Sequence, residues 1–182
     1  MMKDIGLSED EIMRDWSLAS QDLSFVKKFS KQYQLWIYLQ ICSLKLQGQL
    51  LESPNLIDTR IIGHACQYLG LNIVGTVFSP NRNATKSEYK KLIFAHLNFR
   101  SFNDVKDEFY QWLELKDQYG KLVSEKLIPE AEAFLIVNKT ALPTQYHLRR
   151  EIKSFCSQEQ KRIFATIYRQ LTRSLILSVD EL

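Results

Sequence analysis

Apolar positions recur at three- and four-residue intervals through nearly the whole chain, the pattern of amphipathic helices. Ser8 and Glu11 form a capping box that opens a short helix to about Asp15. Ser20 caps a second helix, followed by Leu23, Val26 and Lys27. The run Leu35, Trp36, Ile37, Leu39, Ile41, Cys42, Leu44 and Leu46 places apolar residues on nearly every side, which marks a central, buried helix. It ends at Gly48, a residue suited to a left-handed C-cap. Pro54 lies in a loop. Asp58 then caps a helix through Ile61, Ile62, Ala65, Cys66 and Leu69, stopped by Gly70.

Residues 71–83 are ambiguous, because Ile73, Val74, Val77 and Phe78 fit either a strand or a helical turn. With no second strand to pair with, helix or irregular structure is expected. Thr85 and Glu88 form another capping box, and the helix behind it runs to Leu97 with Tyr89, Leu92, Ile93 and Leu97 inward. Ser101 and Asp104 repeat the signature before a long helix that turns Phe102, Val105, Phe109, Trp112, Leu113 and Leu115 inward. A turn near Gly120 leads to residues 121–127, and Pro129 is suited to the start of a helix over residues 130–137. Thr144 caps a helix burying Leu148, Ile152 and Phe155. Ser157 and Gln160 open a last one carrying Ile163, Ile167, Tyr168, Leu171 and Leu175. The expected fold is all-α, with about nine helices in two small lobes, residues 1–100 and 101–182.

Composition narrows the function classes. Six glycines and four prolines exclude linker and collagen chains, and no glycine-rich phosphate loop of either common form is present. No cofactor is expected. Cys42, Cys66 and Cys156 are odd in number and widely spaced, so free buried thiols in a reducing cytoplasm are expected. The acidic N-terminal stretch has no apolar core, and the most apolar window, residues 33–44, is too short to cross a bilayer. A cytoplasmic, nucleoid-associated protein with no membrane partner is expected.

The distribution of charge says more than its net value of +3. Residues 81–100 carry Arg82, Lys86, Lys90, Lys91 and Arg100 against one acid, Glu88. Residues 102–132 are acidic, with four basic against eight acidic side chains. Residues 139–173 are basic again, with eight basic side chains against Glu151 and Glu159. Two basic windows flanking an acidic one suit two stretches of a phosphate backbone, and suit ordinary solvated helix faces as well. A nine-residue echo links them: residues 85–93 and 144–152 both read T-x-x-x-x-[KR]-[KR]-x-I. In each, a threonine precedes a paired basic step, as in a helix that meets phosphates with its first turns.

Enzyme chemistry is not legible. His64, His96 and His147 have no partner at a metal-ligand spacing, there is no nucleophile elbow, and Asp104, Asp107 and Glu108 read as a solvated helix face. No small-molecule substrate is expected.

Several ordered landmarks resemble the N-terminal region of the Tn-three family transposases, the replicative unit transposons. Leu7-Ser8 to Leu23 is similar to the family's opening run, with Trp16-Ser17-Leu18 at its aromatic step. Residues 35–49 keep Leu35, Gln40, Cys42, Leu44 and Gly48 of a characteristic helix, with Gln34 and Gln49 where that helix has arginine-containing elements. The most specific match is Arg82, Thr85, Lys86, Glu88, Tyr89, Leu97, Phe99, Arg100 and Phe102, with Lys86 in place of arginine, Tyr89 of histidine and Asn98 of glycine. Looser matches are Trp112-Leu113, Leu142-Pro143 to Arg150, and Tyr168, Arg169 and Leu171. The resemblance implies sequence-specific binding of double-stranded DNA at terminal inverted repeats by helix-turn-helix-like modules. It also implies that the catalytic carboxylates lie far downstream in an RNase H-like domain. This chain is therefore expected to be a fragment without that domain and not itself an enzyme, with self-association through a further C-terminal region. Arg82, Thr85, Lys86, Lys90, Lys91 and Arg100 are the candidate DNA contacts of the first lobe. Lys139, Thr144, Tyr146, Arg149, Arg150 and Lys153 are those of the second. The lost arginines are expected to weaken or retune binding, since lysine keeps the charge without the bidentate fork. The alternative is a helical protein-interaction module whose basic windows are plain surface.

Overall fold

The computed structural model describes residues 8–52, 57–72, 79–116 and 124–180, with side chains for 8–52, 57–72, 79–116 and 125–171. Eight α-helices lie among them: α1 (Glu9–Asp15), α2 (Ser20–Val26), α3 (Lys31–Gln47), α4 (Thr59–Leu69), α5 (Asn83–Leu97), α6 (Lys106–Lys116), α7 (Ser124–Val137) and α8 (Gln145–Asp180). A 3-10 turn, Phe102–Val105, precedes α6. Among the described residues the only extended pairing is an isolated bridge between Arg100 and Thr140. The fold is all-α. The expectations for residues 73–78, for the turn at Gly120 and for the side chain of Leu175 lie outside what is described.

Two compact units form. The first comprises Met1–Ser101 with Lys139–Leu142, the second Phe102–Asn138 with Pro143–Leu182. The first therefore takes back a short segment from beyond residue 101. The Arg100 amide donates to the Lys139 carbonyl (2.8 Å), the Ala141 amide to the Arg100 carbonyl (2.9 Å) and the Leu142 amide to the Gly48 carbonyl (2.7 Å).

The first unit is built around α3, which packs against α2, α4 and α5. Leu35, Ile37, Tyr38, Ile41 and Leu44 are fully buried. An all-round apolar helix needs its few polar side chains satisfied internally, and those of α3 hold the surrounding turns. Gln34 donates to the Phe29 carbonyl (2.9 Å), and Ser43 to the Gln49 carbonyl (2.7 Å). Gln40 donates to the Leu51 carbonyl and accepts from the Leu51 amide. Tyr38 donates to the Trp16 carbonyl, and Tyr68 on α4 to the Leu18 carbonyl (3.1 Å). The helix ends at Gly48 with φ 67°, a conformation that a side chain would strain.

The second unit buries Val105, Phe109, Leu113, Ala131, Leu135, Leu148 and Ile152. Phe102, Phe109, Trp112 and Phe134 form a continuous ring cluster with centroid separations of 5.0–6.2 Å. Helix α7 packs along α8.

Several helix boundaries and faces differ from expectation. Ser20 is the first residue of α2, which has Ala19 at its N-cap. Helix α5 starts two residues before Thr85, with Arg82 at the N-cap and no side-chain cap bond. Helix α7 does not begin at Pro129 but runs through it, so the Glu125 carbonyl has no amide proton to accept there. Ser157 opens no helix, because α8 is continuous from Gln145 to Asp180 and no glycine or proline interrupts it. Leu92 and Leu115, expected inward, are 42 % and 72 % exposed. Each lies off the buried stripe of its helix, Leu92 beside Tyr89–Ile93–Leu97 and Leu115 two residues past Leu113. The three cysteines are free and buried, and burial pushes the Cys42 thiol up to about 12. Among the described residues no helix is long and apolar enough to cross a membrane.

Candidate nucleic-acid interface

In the first unit the candidate cations sit mainly on α5. Arg82, Lys86 and Lys90 are spaced four residues apart, which aligns them along one side of a helix at about 6 Å per step. That stripe borders the core instead of crowning the helix. Ring contacts seat Tyr89 on Phe29 (5.1 Å), Tyr33 (5.6 Å) and Trp36 (6.5 Å), and they leave Lys86 and Lys90 half-buried while Arg82 and Lys91 are exposed. Burial, joined by the like charge of Lys86, lowers the Lys90 ammonium below the usual lysine range. Thr85 is also half-buried and, as the third residue of α5, caps nothing. Arg100 is exposed and its backbone holds the bridge to Thr140. Lys139, expected in the second lobe, belongs to the first unit, where it is exposed with a left-handed φ of 48°.

In the second unit the expectations converge on α8. Thr144 is a true cap, accepting from the His147 amide (3.2 Å). The first turns divide cleanly. Leu148, Ile152 and Phe155 face the core, while Tyr146, Arg149, Arg150 and Lys153 are exposed. Arg149 and Lys153, four residues apart, make no ion pair with a described carboxylate. Arg150 is partly engaged, lying 3.7 Å from Glu151 and 3.4 Å from the His147 ring.

Beneath each surface lies a buried carboxylate that pattern reading missed. In the first unit Asp22 pairs with Lys45 of α3 and with His96 of α5 (2.8 Å), and the His96 ring stacks on Phe25 at 4.0 Å. Burial alone raises the Asp22 carboxyl, but its hydrogen bonds with Lys45 and His96 prevail and hold it below the usual range. In the second unit Glu151 accepts from the Tyr110 hydroxyl and pairs with Lys106 (3.0 Å). The Tyr110 hydrogen bond, with help from Lys106, holds its carboxyl low against burial. The only signal in the sequence was an acid at an inward helical phase.

The histidines are absorbed by the fold. His64 bonds Ser17 (3.0 Å), His96 bonds Asp22 and His147 meets the edge of Phe102. Among the described residues no group of three or more His, Cys, Asp or Glu side chains is placed to hold a metal ion. Asp104, Asp107 and Glu108 are exposed, as a solvated helix face requires. Gln34 is buried and donates to the Phe29 carbonyl, so this position serves the fold.

A search of curated proteins finds no match. The family model of a domain of unknown function, DUF4158, matches residues 3–155, a span that takes in both the α5 cations and the cationic first turns of α8, and the chain belongs to that family.

Proposed function

We propose that this chain binds double-stranded DNA, recognising the terminal inverted repeats of a transposon as the N-terminal part of a Tn-three family transposase. Two lines support this. The matched domain is one found at the N-terminus of such transposases, and the residues at the charged landmarks of the resemblance include exposed cations. The observation that carries the reading is the outward face of α8, where Tyr146, Arg149, Arg150 and Lys153 are exposed, while Leu148, Ile152 and Phe155, with the paired Glu151, are buried on the other side. A helix capped by Thr144, with its cations in the first turns, suits a helix-turn-helix-like mode in which α8 is presented to the duplex. Arg82, Lys86, Lys90, Lys91, Arg100 and Lys139 form the other contact, with Lys91 the most accessible cation within α5. In this reading the chain recognises DNA, and strand cutting and joining belong to the RNase H-like domain of such transposases. It takes no cofactor and no small-molecule substrate.

The test is a gel-shift titration of an inverted-repeat duplex with the wild type, Lys91→Glu and the double variant Arg149→Glu/Lys153→Glu. Loss of shifting by the double variant, with its fold intact, is expected. Equal shifting by all three proteins overturns the assignment to α8.

A second reading, a helical protein-interaction module, is favoured by one observation. The later turns of α8 expose Phe164, Ile167, Tyr168 and Leu171 on a helix that continues to Asp180. Binding of the duplex by the wild type decides against this reading as the function of the basic surfaces.

A further inference from the structure

We propose that the turn joining α2 to α3 is an additional phosphate-backbone contact of the first unit, made by Lys27, Lys28 and Lys31. The inference rests on the DNA reading above and extends it to residues outside both basic windows.

Three exposed lysines occur within five residues, and none makes an ion pair with a described carboxylate. The nearest acid in sequence, Asp22, is buried and engaged by Lys45 and His96, so it does not neutralise them. The turn between them is tightly held. The Lys28 amide donates to the Phe25 carbonyl (3.1 Å), the Phe29 amide to Val26 (3.2 Å), and Gln34 secures the Phe29 carbonyl. Phe29 packs edge-on against both Phe25 and Tyr89, each at 5.1 Å. This fixes the lysine-bearing turn to the second turn of α5, where Lys86 and Lys90 flank Tyr89 in sequence.

For Lys31 the placement is also unfavourable for the fold alone. It is the first residue of α3, whose opening turn holds no acid, and the dipole at a helix N-terminus disfavours cations, whereas Lys27, the C-cap of α2, and Lys28 beyond it sit where the dipole of α2 tolerates them. Three cations together without counter-charge, on a turn held rigid, suit a surface that meets a polyanion whatever its sequence.

The experiment is fluorescence anisotropy with a labelled mixed-sequence duplex about three helical turns long, across a salt series. It compares the wild type, the Lys27→Gln/Lys28→Gln/Lys31→Gln variant and the same triple with arginine, each checked by thermal melting. The glutamine variant is expected to melt like the wild type, to lose about two to three from the magnitude of the log–log salt slope, and to bind about tenfold more weakly at low salt. The arginine variant is expected to bind like the wild type. A glutamine variant with the wild-type slope and affinity overturns this inference and leaves the DNA reading standing. A wild type that does not bind this duplex at the lowest salt also overturns this inference, while the DNA reading is judged by the inverted-repeat duplex.

Discussion

Helices α5 and α8 carry the same nine-residue pattern and use it differently. In both, the residue four steps after the threonine and the isoleucine eight steps after it face inward: Tyr89 and Ile93 in one, Leu148 and Ile152 in the other. The hydroxyls part company. Thr144 lies one residue before α8 and caps it, whereas Thr85 is the third residue of α5. The buried stripes are also rotated. In α8 it includes position seven, where Glu151 is buried, and both basic residues of the pair stand outward. In α5 it leans the other way, so Leu92 is exposed at position seven while Lys90 is half-buried. A short pattern thus sets which residues anchor a helix, and the neighbouring helices set how far it rolls. The cations are displayed accordingly, fully on α8 and only in part on α5.

The shared anchors give the largest expected effect. Ile93→Ala and Ile152→Ala should each lower stability by about 2–5 kcal/mol in urea unfolding, since both side chains are completely buried. A negligible loss at either site breaks the equivalence.

Position seven sharpens the contrast. Glu151→Ala leaves the Tyr110 hydroxyl and Lys106 without their acceptor and should cost about 1–3 kcal/mol. Leu92→Ser, at an exposed site, should stay within about 0.5 kcal/mol of the wild type. Because the folded-state values of Asp22 and Glu151 are lowered, their contributions are complete above the ordinary carboxylate range near about pH 4. They fade as pH falls through the lowered values. Melting temperature followed from neutral to acid pH should therefore drop in that range, and Asp22→Asn should flatten the drop. An unchanged acid profile in that variant contradicts the role given to Asp22.

The smallest effect separates the two threonines. Thr144→Ala should cost about 1 kcal/mol as a lost cap. Thr85→Ala should be neutral or slightly stabilising, because alanine is the better helix former at an interior position. Equal costs, read from the same unfolding curves, would contradict the difference in helix start.

The legible parts of the fold were those fixed by local chemistry. The Ser8–Glu11 capping box, the Asp58 cap, the left-handed glycines at 48 and 70 and the apolar α3 depend on residues within a turn of one another. What stayed hidden depends on distant neighbours. Ser157 has the letters of a cap but rides inside the continuous α8, directly after the buried Phe155 and Cys156. The burial of Asp22 is decided by Lys45 and His96, 23 and 74 residues away. Among the candidate site residues, charge was legible but display was not. Lys86 and Lys90 look like Arg149 and Arg150 as letters, and differ because Tyr89 docks on three aromatic rings from α3 and the turn before it.

The central claim, that the exposed cations meet a DNA backbone, is tested most directly by the affinity of the whole chain for an inverted-repeat duplex at about 50 and 200 mM salt. With roughly six phosphate contacts, affinity should fall about a thousandfold between the two. An absence of binding at the lower salt, or an affinity that does not change with salt, would contradict the claim.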